Sequence, residues 1–293
     1  MIESIFNYVQ DELTEMMGSA FLIRKKEPLS GGCINHAFRI ETTKGDFFLK
    51  WNFSCPDDLF VREAESLREL KQTVGRELYV PEVILAKEGD ELSGFILMEY
   101  LERGHAARQE IRLGQGLAHL HRTKKGNYGF EHDNFCGETL QQNEWNESWI
   151  DFFAENRLRF LIGLIQNSRP FSSADLEVME NLIDRLPLLI PENPGASLIH
   201  GDLWSGNYMY TSQGPALIDP ASYYAHREME LSIMQMFGGF SPKTWSAYQE
   251  AFPLEKGWEE RVLIYQIYHI LNHYCLFGGA YGQQAISLAK RFI

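Results

Sequence analysis

The chain has 293 residues, 44% of them hydrophobic, with a formal net charge of −13 and four cysteines, Cys33, Cys55, Cys136 and Cys275. This content suffices for a substantial core in one large domain or two lobes, and no apolar run approaches the length of a membrane span. The acidic balance argues against a nucleic-acid partner, and scattered cysteines without metal-type spacing point to free thiols in a reducing compartment and not to structural zinc.

Residues 2–17 read as an amphipathic helix with Ile5, Val9 and Leu13 on one face, and their early acidic residues are unlike a signal peptide, so a cytoplasmic protein is expected. Residues 21–51 are strand-rich, with turns at Ser30-Gly31-Gly32 and at Thr43-Lys44-Gly45-Asp46. Backbone N–H groups at Gly31 and Gly32 would be free to approach phosphate oxygens, although an ordinary hairpin turn has the same look. Cys33 falls in this loop. Beside backbone amides and a lysine it would gain thiolate character, so its oxidation, or a Cys33-linked dimer, would block the loop; the plainer alternative is a small apolar filler.

In Phe47-Phe48-Leu49-Lys50-Trp51 a lysine sits inside an apolar strand. Burying its ammonium is expensive unless something anionic meets it; an exposed strand edge is the alternative. Residues 61–70 form the next helix, with Val61, Ala64, Leu67 and Leu70 at core spacing and Glu63 on the edge of the buried face, placed to brace Lys50. Residues 80–85 and 92–98 read as further strands, followed by a polar linker at 99–104. The backbone at Glu99, Tyr100 and Leu101 would hydrogen-bond an adenine there. Beyond it the pattern turns helical over 106–122, 148–166 and 173–186, with His119 and His121 as structural histidines and an irregular polar and aromatic stretch between 127 and 145. The last stretch, 223–293, is helical again; Glu228 or Glu230 would anchor the loop described next, and spacing leaves both open.

That loop is LIHGDLWSGNYMYTSQGPALIDP, residues 198–220. Two apolar strands joined by Thr211-Ser212-Gln213-Gly214 would carry Asn207 and Asp219 at their outer ends. Phosphoryl transfer requires a carboxylate to take the proton of the attacking hydroxyl and oxygen ligands to hold magnesium against phosphates. Asp202 suits the first task, and Asn207 and Asp219 the second. The spacing of Asp202 to Asn207 matches the protein-kinase H-R-D-x-x-x-x-N loop, with Gly201 where those kinases have Arg and Pro220-Ala221 where they have Phe-Gly.

Together GGCIN (31–35), FLKWN (48–52), EAESL (63–67), MEYL (98–101), LAHLH (117–121), HGDLWSGN (200–207), LIDPASYYAHRE (217–228) and MFGGF (236–240) closely resemble the fructosamine/ketosamine 3-kinases over nearly the whole chain. Trp204-Ser205 inside HGDLWSGN is the discriminating piece; Ala225 stands where that family often has Gly. The resemblance implies an α+β, bilobal protein-kinase-like fold, with an antiparallel β lobe over 1–98, a hinge over 99–104 and a mainly α lobe over 105–293. It implies ATP- and Mg2+-dependent phosphorylation of the 3-hydroxyl of a ketosamine, free or on a glycated protein, as a deglycation repair. By position, Asp202 is the base, Asn207 and Asp219 hold magnesium, Gly31, Gly32 and Lys50 meet phosphates with Glu63 as brace, and Glu99, Tyr100 and Leu101 meet adenine. The competing expectations are a kinase of the aminoglycoside or choline type acting on another hydroxylated amine, and a catalytically silent relative that binds nucleotide without turnover.

Overall fold

The computed structural model describes residues 2–29, 35–89, 94–105 and 107–293. Gly31, Gly32 and Cys33 lie outside them. The amino-terminal part runs α1 (Ile2–Met17), β1 (Ile23–Pro28), β2 (His36–Thr42), β3 (Gly45–Trp51), α2 (Leu59–Thr73), β4 (Val83–Lys87) and β5 (Phe95–Glu99). Its strands form one antiparallel sheet in the order β1-β2-β3-β5-β4.

The period of two along each strand divides the side chains between two cores. Phe47, Leu49 and Trp51 of β3, with Phe95 and Leu97 of β5, pack under Ile5, Phe6, Val9 and Leu13 of α1. Ile96 and Met98 fall on the opposite face, against Phe60, Ala64 and Leu67 of α2. Lys50 lies between Leu49 and Trp51 in sequence, so its side chain must leave on the α2 face.

The remainder runs α3 (Gln109–Leu120), β6 (Lys124–Lys125), β7 (Asn134–Cys136), β8 (Thr139–Gln141), α4 (Trp149–Asp151), a π-helical stretch (Phe152–Arg159), α5 (Phe160–Ser168), α6 (Ser173–Leu189), β9 (Ala196–Ile199), β10 (Tyr208–Thr211), β11 (Gly214–Leu217), β12 (Tyr223–Ala225), α7 (Glu228–Phe237), α8 (Pro242–Ala251), α9 (Trp258–Phe277) and α10 (Tyr281–Ala289). Three short sheets, β12-β9-β6, β10-β11 and β7-β8, lie among these helices. This is the two-lobed α+β architecture expected of a protein-kinase-like chain.

The structure departs from the sequence reading in several places. The helix expected from 106 begins at Gln109 because Arg108 takes a left-handed conformation, φ 59°, which no helix residue can hold. The strand expected from 80 begins at Val83, after Pro81; of the strand expected over 92–98, residues 92 and 93 lie outside the described residues and β5 covers Phe95–Glu99. The stretch from 127 to 145 is not simply irregular: it holds the β7–β8 hairpin, turned at Gly137 with φ 66°. Asn134 donates to the Ser222 carbonyl and Gln141 to the Ala221 carbonyl, so the hairpin is sewn onto the segment that follows Asp219.

Candidate active site

Strand β9 ends at a tight turn whose shape depends on Gly201. Its φ is 87°, and a Cβ there would come within 2.0 Å of the Ala221 carbonyl oxygen, so no other residue fits without displacing backbone. His200, fully buried, ties the two halves of the turn together. Its Nε2 meets the Ile218 carbonyl at 2.8 Å, and its Nδ1 accepts the Asp202 N–H at 3.3 Å, which leaves a neutral ring with its proton on Nε2. Burial lowers its pKa, in keeping with that state.

Beneath the turn lies Glu230, on the first turn of α7 and wholly buried. Its carboxylate accepts the backbone N–H of His200 at 2.5 Å, of Gly201 at 3.4 Å and of Leu203 at 3.3 Å. Burial raises its pKa, but contacts with His121 and His200 outweigh that and hold it below the usual carboxylate range. Glu228 is bound instead to Arg261 at 2.6 and 2.8 Å. The choice that spacing left open therefore falls on Glu230.

Lys50, Glu63, Asp202, Asn207 and Asp219 all line one cavity of about 170 Å3, walled also by Phe135 and Gly137 of the β7–β8 hairpin. The Lys50 ammonium bonds both Glu63 oxygens, at 3.0 and 2.8 Å, and Asp219 Oδ1 at 3.0 Å. Burial alone would pull the lysine down, but Asp219 and Glu63 together hold its pKa above the ordinary value. Asp219 itself stands at φ 54°, a strained conformation for a residue with a side chain, held where β11 gives way to β12.

Asn207 directs its amide nitrogen at Asp202, 2.8 Å from the carbonyl and 3.0 Å from the carboxylate. Both are acceptors, which fixes the amide orientation and turns Oδ1 away from them. That leaves the Asn207 amide oxygen and the Asp219 carboxylate as hard oxygen donors on one cavity. Among the described residues no cluster of three or more acidic, histidine or cysteine side chains could hold a metal ion by itself. A cation here would complete its shell with water and phosphate oxygens, a donor set that suits magnesium better than zinc. Asp202 has its pKa pushed up to about 8, by burial first and then by Glu230 and Asp219. A carboxylate so placed is more basic than an exposed one and can take a proton from an alcohol.

Two of the expected hinge residues, Glu99 and Tyr100, are engaged through their side chains elsewhere. The Tyr79 hydroxyl donates to the Glu99 carboxylate at 2.7 to 2.8 Å, and Tyr100 lies under the Arg39 guanidinium at 4.6 Å. The cavity also uses residues that the sequence reading missed: Asn35, Ala37, Phe48 and the hairpin pair Phe135 and Gly137. The alternation Asn134-Phe135-Cys136 and Thr139-Leu140-Gln141 about Gly137-Glu138 was the available signal for the hairpin.

The family model described as fructosamine kinase matches residues 5–293. A protein of Enterococcus faecium named a probable ketoamine kinase is 36% identical, covering 90% of this chain and 94% of its own length. The chloroplastic protein-ribulosamine 3-kinase of Arabidopsis thaliana is 37% identical over 96% of this chain and 86% of its own. Among solved structures, a Haemophilus somnus protein assigned as a fructosamine-3-kinase superposes with a TM-score of 0.84 at 27% identity, covering 97% of this chain and 96% of its own. A thermostable mutant of the aminoglycoside phosphotransferase APH(4)-Ia, solved with AMP-PNP and hygromycin B, shares the fold at a TM-score of 0.61 and 16% identity, over 97% of this chain and 98% of its own. With the fold of a solved family member and a family match from residue 5 to the last residue, this chain belongs to the fructosamine kinase family.

Proposed function

We propose that the chain is an ATP-dependent ketosamine 3-kinase, and that Asp202, Lys50, Asn207 and Asp219 carry its chemistry. The single observation behind the assignment of roles is that Lys50 of β3 and the loop residues Asp202, Asn207 and Asp219 line one cavity, in which Lys50 bridges Glu63 and Asp219. In this reading the acceptor hydroxyl lies against Asp202. As its oxygen attacks the γ-phosphorus, its proton passes to the carboxylate; the new O–P bond forms while the bond to the β-phosphate oxygen breaks, and ADP leaves with that electron pair. Lys50 neutralises phosphate charge, with Glu63 fixing the ammonium, and the backbone of 99–101 holds the base. Asn207 Oδ1 and the Asp219 carboxylate would hold magnesium, which would offset the charge on the phosphate oxygens.

We further divide the chain into a nucleotide-binding lobe at 1–98, a hinge at 99–104 and a catalytic lobe at 105–293. The acceptor is a ketosamine, free or carried on a glycated protein, and phosphorylation at its 3-hydroxyl starts the release of the amine. No helix among the described residues is long and apolar enough to cross a membrane, in keeping with a cytoplasmic enzyme. The test is mass spectrometry of ribulosyl-lysine and fructosyl-lysine after incubation with enzyme and Mg-ATP. One added phosphate on either, absent with Asp202→Asn, supports the reading. Phosphorylation of an aminoglycoside or choline but of neither ketosamine would replace it with the other kinase class.

A further inference from the structure

Arg157, in the π-helical stretch, is wholly buried, and its guanidinium meets only neutral acceptors. Nη1 donates to the Gln142 and Asn156 carbonyls, and Nη2 to Asn143 Oδ1 at 2.7 Å. Among the described residues its Nε has no acceptor. An arginine taken out of water without a carboxylate is costly, and the best reason to retain such a group is that it selects one arrangement of the structure around it. Two rings offset part of the cost, with the guanidinium carbon 4.5 Å from the ring centre of Phe152 and 4.0 Å from that of Tyr223. Phe152 stands five residues before Arg157. The wider π winding brings the two together, whereas an α-helix pairs residues three or four apart.

What Arg157 selects is the direction of a chain of amides. A guanidinium can only donate, so Asn143 must turn Oδ1 toward it and Nδ2 away, to the His132 carbonyl at 3.1 Å and to Asn134 Oδ1 at 2.9 Å. Asn134, its oxygen thus taken, gives Nδ2 to the Ser222 carbonyl at 2.8 Å. Gln141 joins from the other strand of the hairpin. The Tyr268 hydroxyl donates to its Oε1 at 2.7 Å, and its Nε2 donates to Asn134 Oδ1 at 2.7 Å and to the Ala221 carbonyl at 3.2 Å. All three amides are buried, so a reversed one would leave donor facing donor and acceptor facing acceptor. Both ends of the chain agree, since the Ala221 and Ser222 carbonyls can only accept. Ala221 in turn gives its N–H to the His200 carbonyl at 2.9 Å and lies against Gly201.

We propose that Arg157 is a positioning residue for Asp219. By fixing which way the three amides point, it holds the Ala221 and Ser222 carbonyls in place, and with them the left-handed backbone that aims the Asp219 carboxylate at Lys50. Wholly buried, it reaches no substrate and acts only through this chain. The effect on catalysis rests on the kinase reading above.

The experiment compares the full-length parent with Arg157→Met, Arg157→Lys and Asn134→Asp at pH 8. Arg157→Met keeps an apolar stem and removes every donor; Arg157→Lys returns one. Asn134→Asp still accepts from Asn143 and Gln141 and brings a negative charge toward the guanidinium, but has no N–H for Ser222. It cuts the chain at its last link and should melt within about 3 °C of the parent. In Arg157→Met and Asn134→Asp alike, hydrogen exchange should be about tenfold faster over 219–224 and unchanged in α1 and β1 to β3, and kcat on ribulosyl-lysine about tenfold lower with KM for that acceptor within about twofold. Arg157→Lys should recover most of both. If Arg157→Met fails to fold, Asn134→Asp decides. Parent-like exchange and kcat in Asn134→Asp would overturn the proposal, as would losses that follow melting temperature across the variants, the mark of a merely structural role. Exchange is read without substrate, so a parent that phosphorylates no ketosamine ends the kinase reading and leaves the positioning of 219–224 to be decided by exchange alone.

Discussion

Replacing Glu230 by Gln keeps its shape and removes its charge. In the parent the carboxylate receives three backbone N–H groups of the turn that carries Asp202, from His200, Gly201 and Leu203. Hydrogen bonds to a charged acceptor are worth about 1.5–3 kcal/mol against about 1 for neutral ones, so the bond to His200 weakens by roughly 1 kcal/mol. The amide nitrogen must then face the Leu203 N–H, donor against donor, and a stranded buried N–H costs about 1–3 kcal/mol. The sum is about 3 kcal/mol, or roughly 5 °C in melting temperature for a chain of this size. Because the turn loosens around Asp202, kcat should fall about a hundredfold (~2.7 kcal/mol). KM for ATP should stay within about threefold, since the Lys50, Glu63 and Asp219 cluster is untouched. Thermal melting followed by near-UV circular dichroism, with steady-state kinetics well below the midpoint, reads both effects on folded protein. Glu228→Gln is the control: it breaks the pair with Arg261 and should lower stability while leaving kcat near that of the parent. A Glu230→Gln protein that melts within about 2 °C of the parent and keeps more than about half of kcat would refute the reasoning.

Asp202→Asn should fold like the parent and lose about a thousandfold in kcat; retention of more than about a tenth, a loss of only ~1.4 kcal/mol, removes it as the base. Gly201→Ala must bring a Cβ to 2.0 Å from the Ala221 carbonyl oxygen at φ 87°, so it should lower the melting temperature by several degrees and kcat by more than about tenfold. Parent-like kinetics would show that the turn relaxes freely. His269 is buried and its pKa is lowered to about 3, against 6.5 for the free residue. A depressed histidine pKa means that the unfolded chain binds the extra proton, so stability is intact above pH 6.5 and is lost as pH falls from there toward 3, at up to ~1.4 kcal/mol per unit. Between pH 7.5 and 5 this residue should account for about 2 kcal/mol. Denaturant melts at the two pH values should show a drop smaller by that amount in His269→Gln, and equal drops would mean that the residue titrates normally in the fold.

The catalytic strings were legible because phosphoryl transfer constrains residue type and spacing over a few positions. HGD with Asn207, the hairpin to Asp219, and Lys50 with Glu63 read directly, and the structure brings them to one cavity. What could not be read depends on partners distant in the chain. Glu228 and Glu230 are two positions apart on α7, and only the packing of the turn on one side and of Arg261 on the other separates them. The β7–β8 strands are three residues each, too short for alternation to stand out, and their polar ends are held by carbonyls some eighty residues later. The late start of α3 turns on the dihedral of Arg108, a residue with no evident turn propensity. Gly31, Gly32 and Cys33 remain expectations, as they lie outside the described residues.

The β7–β8 hairpin does more than wall the cavity. On one flank it packs beside α2, which carries Glu63, and Glu138 at its tip meets Asn52, just past the end of β3; on the other it grips Ala221 and Ser222, directly behind Asp219. This wall of the cavity is thus mechanically continuous with the elements that carry all three members of the Lys50 charge cluster. An insertion at Gly137-Glu138 should therefore disturb the Lys50 cluster from both flanks at once and register as weakened ATP binding.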